Sequence, residues 1–305
     1  MMYLLLIIGF VLLIKGADLF VDGSSSIAGI LKVPSVIIGL TIVAMGTSAP
    51  EAAVSINAGF AGNSDISLGN IVGSNIFNLL VVIGACAVIF PANSNEEILK
   101  RDLWWNIGVS ALLFLFILDG KISRIEGVLL LAGFLFYIGL MIRSALKNRI
   151  QETPPDVMSL PKSLLFVILG LAAVVFGGDL VVDNASLIAK SLGMSDTLVG
   201  LTIVAIGTSL PELVTSITAS RKGDSGIALG NAVGSCLFNI LFILGVASTL
   251  TPIHAVPELI IDTAILIAVT VLILIVAKTD KKTNRMEGLV CVGAYIIYTA
   301  YIILR

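Results

Sequence analysis

The sequence predicts an all-α polytopic membrane protein with ten transmembrane helices in two inverted five-helix repeats. Composition is the first ground: of 305 residues, 57% are hydrophobic and 12% charged, at a mean hydropathy of +1.08. Soluble domains carry roughly a quarter charged residues, so this chain cannot clothe a water-facing surface. Its solvent is lipid, and an integral protein of the cell membrane is expected. Segmentation along the chain is the second ground and internal repetition the third.

Apolar runs between Gly, Pro and charged punctuation predict helices over 2–30, 35–61, 66–90, 103–119, 124–147, 161–191, 196–220, 227–250, 256–278 and 285–304. A spanning helix needs about 20 apolar residues, so ten consume roughly 200 and leave no room for a large soluble domain. The apolar start, Met1 to Phe20, lacks a basic n-region and a small-residue cleavage site, and reads as a retained first span rather than a signal peptide. A polar stretch around Pro154 and Pro155 marks the midpoint. It divides the chain into a first repeat, 1–150, a cytoplasmic linker, 151–160, and a second repeat, 161–305.

Sliding one half over the other at an offset of 161 exposes the repetition. The stretch Gly39 to Glu51, GLTIVAMGTSAPE, lies over Gly200 to Glu212, GLTIVAIGTSLPE, with eleven of thirteen positions identical. Leu68 to Asn78, LGNIVGSNIFN, lies over Leu229 to Asn239, LGNAVGSCLFN, with eight of eleven identical. The same offset superposes Asp18 on Asp179, Asp22 on Asp183, Arg124 on Arg285 and Glu126 on Glu287. Five spans per copy is an odd number, so the second copy enters the membrane from the opposite side. Links after the odd-numbered spans hold thirteen Lys and Arg, and the other side holds four. The richer side is expected to be cytoplasmic, with both termini outside.

A net charge of -2, with basic residues scattered, excludes a nucleic-acid footprint. Cys86, Cys236 and Cys291 lie in apolar runs without the spacing of a zinc or redox site and read as core filler, while His254, the one histidine, is expected in a loop. Glu51 and Glu212 are different. Each is expected in the middle of a long apolar helix, where a carboxylate costs several kcal/mol unless it meets a partner or a wet cavity. An inverted two-fold axis brings such repeat-equivalent groups together near the bilayer centre. Pro50 and Pro211 lack an N–H, so carbonyls of the preceding turn are released, and Gly46 and Gly207 ease the kink. Thr47 and Ser48, with Thr208 and Ser209, put hydroxyls on the face of each acid. On a second helix Asn70, Ser74 and Asn78 recur every four residues, as do Asn231, Ser235 and Asn239; Asn70 and Asn231 serve equally well as interhelical glue. Carboxylate, hydroxyl, amide and carbonyl oxygens without thiolate or imidazole select hard cations such as Ca2+, Mg2+ or Na+. Asp18, Asp22, Asp179, Asp183 and Lys15 lie toward span ends and read as snorkelling or locally paired groups, and Trp104 and Trp105 as an interface belt.

Paired Gly-Thr-Ser-x-Pro-Glu and Gly-Ser-x-x-Phe-Asn motifs in two inverted halves resemble the cation/calcium antiporter superfamily, most closely its sodium/calcium exchanger branch. The resemblance covers nearly the whole chain. It implies cation ligation by Thr47, Ser48, Glu51, Ser74 and Asn78, by Thr208, Ser209, Glu212, Ser235 and Asn239, and by the Ala44 and Ala205 carbonyls. It also implies that helices 2–30 and 161–191 slide as a gate. Some sodium/calcium exchangers carry an aspartate where this chain has Asn239, and a double Asn also occurs in proton/calcium exchangers. The proton-coupled branch usually has Gly-Asn-Ala-x-Glu instead of Gly-Thr-Ser-x-Pro-Glu, which favours sodium. The expected function is therefore Na+/Ca2+ exchange by alternating access, with no cofactor, no enzymatic activity and a monomer as the working unit. Proton/calcium exchange is the alternative. A passive channel would need a continuous pore, and a membrane hydrolase would need a nucleophile and base that the sequence does not offer.

The charge asymmetry makes a direct prediction. In a background lacking the three cysteines, Lys222→Cys is expected to react with an impermeant thiol reagent only from the cytoplasmic side, and Asn63→Cys only from outside. Labelling of both from one face would defeat the orientation.

Overall fold

The computed structural model describes residues 1–93, 98–148, 157–194, 203, 205–279 and 282–304. The chain is predominantly helical, in this order: α1 (Met2–Leu31), α2 (Ser35–Thr47), α3 (Ala49–Phe60), α4 (Ser64–Ile89), α5 (Leu103–Ile117), α6 (Arg124–Lys147), α7 (Leu160–Ser191), α8 (Ala205–Gly207), α9 (Leu210–Arg221), α10 (Ser225–Leu250), α11 (Pro257–Thr279) and α12 (Arg285–Leu304). Among the described residues seven helices are long and apolar enough to cross a membrane, or eight if the bent pair α2 and α3 forms one span. Most boundaries agree with the hydropathy reading within two residues. The expected 151–160 linker and the start of the expected 196–220 helix lie largely outside the described residues.

Two helices form the centre. In α4 and α10, 78% and 89% of the most apolar stretch is buried, against 17% to 44% in the other spanning candidates. Outer helices instead expose leucine and isoleucine, as Ile7, Ile14, Leu165 and Ile168 do, which suits a lipid solvent. Trp104 is half exposed beneath Lys278, whose ammonium lies 5.1 Å from its ring centroid, whereas Trp105 turns inward against Phe136 and Tyr137. Only the first of the two tryptophans therefore fits the expected interface belt.

The loops hold an order that hydropathy did not suggest. Short strands β1 (Ala92–Asn93), β2 (Lys121–Ile122), β3 (Ile253–His254) and β4 (Lys282–Thr283) pair antiparallel as β1 with β4 and β2 with β3. His254 thus sits in a strand, opposite Lys121. At the offset of 161, β1 superposes on β3 and β2 on β4, so each pairing joins one repeat to the other and the two sheets exchange under a two-fold operation.

The longest contact is between α1 and α7, and glycine makes it possible. A methyl group built on Gly16 would lie 2.8 Å from the Val174 amide nitrogen and 2.9 Å from the Gly170 carbonyl oxygen. Gly9 and Gly177 oppose each other in the same way, and Gly23 meets Ser163 and Val167. Backbones this close leave no room for side chains between them, and dispersion along a smooth seam replaces interdigitation. Just past its middle, between Gly16 and Gly23, α1 is tied to α9 and the residue after it by ion pairs: Asp18 to Arg221 at 3.0 Å, and Asp22 to Lys222 at 2.7 Å. This is the local pairing expected for those aspartates.

The seam predicts a contrast between two glycines. Gly16→Leu should lower the thermal unfolding midpoint, by overpacking worth about 1–3 kcal/mol. Gly139→Leu, where a built methyl has nothing within 4 Å, should leave it unchanged or raise it.

Candidate functional site

The site begins with two broken helices. α2 and α3 meet at an angle of 51°, and the break falls at Ser48, whose φ of -80° and ψ of 12° leave the helical region. Ser209, at φ -94° and ψ 6°, interrupts the second copy at the matching place. Pro50 and Pro211 stand in the first turn of the following helix, where a missing N–H has no intrahelical partner to lose. Glu51 and Glu212 are therefore not mid-helix residues, as the apolar runs suggested. Each occupies the first turn of a half-helix, where the positive end of the dipole favours a carboxylate. The neighbouring glycines serve packing more than kinking: a methyl on Gly46 would lie 3.1 Å from the Phe20 ring, and one on Gly207 would collide with Val182.

Across from the breaks run α4 and α10. Both turn π-helical at the candidate asparagines, from Asn78 to Val82 and from Asn239 to Leu244. Such bulges widen the helix and frequently mark functional positions. Glu51, Glu212, Asn78, Asn239, Ser48, Ser209, Ser235 and Thr47 are buried to 2% exposure or less, as is Ser74.

Hydrogen bonds tie the two halves crosswise. Ser48 Oγ donates to Glu212 Oε1 at 2.7 Å, and Ser209 Oγ donates to Glu51 Oε1 at 2.8 Å. Ser74 Oγ adds a longer bond to Glu51 Oε1 at 3.4 Å, and Ser235 Oγ one to Glu212 Oε1 at 3.5 Å. Each carboxylate thus has one oxygen held by hydroxyls. The other oxygen, Oε2 of Glu51 and of Glu212, is buried without a hydrogen-bond partner, as are both amide atoms of Asn78 and Oδ1 of Asn239. Buried carboxylate oxygens do not stay unpaired without cost, and a set of orphaned oxygens from two repeat-equivalent acids fits a desolvated cation. Among the described residues no group of three or more His, Cys, Asp or Glu gathers.

The remaining candidates divide. Thr47 Oγ1 donates to Asn231 Oδ1 at 2.9 Å, and Thr208 Oγ1 to Asn70 Oδ1 at 3.4 Å. Asn231 in turn donates to Ser216 Oγ at 3.0 Å, and Asn70 to Ser55 Oγ at 2.9 Å. Asn70 and Asn231 are therefore interhelical glue, and the threonine oxygens retain lone pairs. The Ala44 carbonyl accepts from the Ser48 amide at 3.1 Å and lies 3.4 Å from the Ser235 hydroxyl, whose one proton it shares with Glu212; Ala205 opens α8. Ser55 and Ser216 were not singled out from the sequence, although each lies four residues after its glutamate and could have been. Asn75 was also missed, since it falls outside the every-fourth-residue stripe.

A cavity of about 590 Å³ reaches this region, with Asn70, Ser74 and Thr208 on its wall together with Asp65, Glu258, Asp262 and Tyr298.

Residues 1–143 and 162–304 match the family described as sodium/calcium exchanger protein. The chain belongs to this family. It is 40% identical to the protein CaxA of Alkalimonas amylolytica, over 96% of this chain and 95% of that protein. It is 33% identical to sodium/calcium exchanger MaX1 of Methanosarcina acetivorans, over 97% of each chain. Among solved structures it resembles the sodium-calcium exchanger NCX_Mj soaked with Na+ and Ca2+, with a TM-score of 0.85, 35% identity and 96% of both chains covered. Against the same exchanger soaked with Na+ and Sr2+ the TM-score is 0.88. The chain is thus an integral membrane cation/Ca2+ antiporter rather than an enzyme, and its ions are cargo, not resident cofactors.

Proposed function

We propose that this protein exchanges Na+ for Ca2+ by alternating access, through ten spans in two inverted repeats with both termini outside the cell. One observation carries the reading: Glu51 and Glu212, equivalent in the two repeats, each present a buried, unpartnered Oε2 while their other oxygens are held crosswise by Ser209 and Ser48. Two carboxylates carry a charge of -2 when empty, which one Ca2+ balances. Several Na+ balance it equally if neutral oxygens complete their shells. Those come from Thr47, Ser48, Ser74, Asn78 and the Ala44 carbonyl, and from Thr208, Ser209, Ser235, Asn239 and the Ala205 carbonyl. Both ions compete for one set of ligands, which is the minimum condition for exchange.

The strand pairings β1 with β4 and β2 with β3 support the inverted arrangement, because each sheet joins two links that the ten-span reading puts on the same side. The α1–α7 seam supports the gate: glycine-lined backbones slide without interlocking side chains. In this orientation the 590 Å³ cavity opens outward from Thr208 and Ser74. The ion pairs of Asp18 and Asp22 with Arg221 and Lys222 tie α1 to the end of α9 toward the cytoplasmic side. Together these features support an outward-facing state in this reading.

Glu51→Gln and Glu212→Gln each remove one of two site charges, leaving a bound divalent ion unbalanced in a low-dielectric site. Each is expected to cut Na+-driven Ca2+ uptake into proteoliposomes at least tenfold while eluting as folded protein. Wild-type uptake by either variant removes that residue from the site.

An outward Na+ gradient is expected to drive Ca2+ uptake with no pH gradient present. Uptake should slow as pH falls, because a proton on either glutamate cancels the charge that a cation needs. Uptake that follows a proton gradient in sodium-free buffer, and ignores Na+, would establish proton coupling instead.

A further inference from the structure

Asn75 lies between the two halves of the site, and its repeat twin is Cys236. The two face each other, each bonding to the other's backbone: Asn75 Nδ2 donates to the Cys236 carbonyl at 3.1 Å, and Cys236 Sγ donates to the Asn75 carbonyl at 3.7 Å. Asn75 has a second bond that Cys236 cannot copy. Its Oδ1 accepts from Asn239 Nδ2 at 3.0 Å.

The orientation of both amides follows from one fixed point. A backbone carbonyl only accepts, so the atom that Asn75 presents to Cys236 must be its NH2 group. The atom that Asn75 presents to Asn239 is then its oxygen, and Asn239 must answer with its own NH2. This leaves Asn239 Oδ1, buried and without a protein partner, as the free atom. Turning the Asn239 amide over would set oxygen against oxygen at Asn75 and offer a cation two N–H groups, both unfavourable. Asn78 has no such anchor. The residue in the matching position is Cys236, whose thiol is directed to the Asn75 carbonyl, and both Asn78 amide atoms lack partners.

We infer that Asn75 is a positioning residue that fixes Asn239 with its carbonyl oxygen toward the transported cation, so that the two symmetry-related asparagines are inequivalent ligands. Asn239 supplies a preset acceptor, and Asn78 one that is free to rotate. This rests on the ligand set proposed above. Asn75 acts through Asn239 and touches no ion itself.

The consequence is read in affinity more than in turnover. Losing one orienting hydrogen bond is expected to raise half-saturating Ca2+ by about three- to tenfold. The test uses purified full-length protein in proteoliposomes, with an outward Na+ gradient driving uptake of labelled Ca2+. Asn75→Leu, similar in volume and without an amide, should raise half-saturation by that factor with maximal rate held within about twofold. Asn75→Ser, whose hydroxyl falls short of Asn239, should do the same. Asn239→Ala should raise half-saturation, and adding Asn75→Leu to it should have no further effect, because the coupling partner is gone. Cys236→Ala keeps the backbone carbonyl that anchors Asn75 and should leave half-saturation at the wild-type value.

Several results would overturn the inference. An equal rise from Asn75→Leu in the Asn239→Ala background means that Asn75 acts independently, and a rise from Cys236→Ala breaks the anchoring chain. A fall in maximal rate at unchanged half-saturation assigns Asn75 a merely structural role. If Asn239→Ala itself leaves Ca2+ affinity intact, Asn239 is no ligand and the inference falls, while the glutamate variants test the site separately.

Discussion

Two carboxylates held in an apolar interior, at zero exposure and within reach of each other's hydroxyl partners, are the constraint around which this protein is arranged. Neither has a lysine, arginine or histidine bonded to it among the described residues. Their stabilisation comes from hydroxyls, from half-helix N-termini and from whatever cation binds. The helix breaks at Ser48 and Ser209 follow from this need. An unbroken helix would satisfy its own amides and carbonyls and would leave the acids on a closed cylinder, whereas a break places each acid in a first turn. The crossed serine bonds then make each acid depend on the opposite repeat, so neither half can form its part of the site alone.

A two-fold arrangement of this kind requires helices to come unusually close, and small residues permit it. Gly230 and Gly234 let α10 press on the backbone of Val36 to Leu40, where an added methyl would lie 2.7 Å from the Val36 and Leu40 carbonyl oxygens. The hydrophobic effect does not drive such contacts in lipid, so dispersion and interhelical hydrogen bonds must carry them. The Asn70–Ser55 and Asn231–Ser216 bonds do so, linking each half-helix to the helix that follows it in the chain.

Much of this was legible in the sequence because the repeats state it twice. The duplicated Gly-Thr-Ser-x-Pro-Glu located both acids and their hydroxyls, and the four-residue stripes located the asparagines and serines that face them. What was not legible depends on tertiary neighbours. Hydropathy reads through Ser48 as one helix, because a break of a single residue leaves the apolar run intact. The four short strands are two residues each and acquire their form only by pairing across repeats. The α1 glycines lie in a helix that is apolar throughout, and only the opposite helix gives their seven-residue spacing a purpose. Asn75 escaped because its role is set by Cys236 and Asn239, which lie more than 160 positions away.

Symmetry also has a limit that function requires. A carrier with two identical inverted halves would have equal free energy facing either side, so any preference must arise where the halves differ. One difference lies at the ends of α3 and α9: the positions equivalent to Arg221 and Lys222 are Phe60 and Ala61, which cannot pair with Asp179 and Asp183. The pairs of Asp18 and Asp22 with Arg221 and Lys222 are partly exposed, worth about 0.2–1 kcal/mol each. Together they come to roughly 1 kcal/mol, which tilts a two-state population by about fivefold. The other difference is at the centre, where Asn75 has no amide twin. Apart from a small bias along α1 and the unequal surroundings of Asn78 and Asn239, the motif residues of the two repeats are matched. In the alternating-access reading, divergence between the repeats then sets which way the carrier rests, and their identity keeps the ligand set similar when it faces either side.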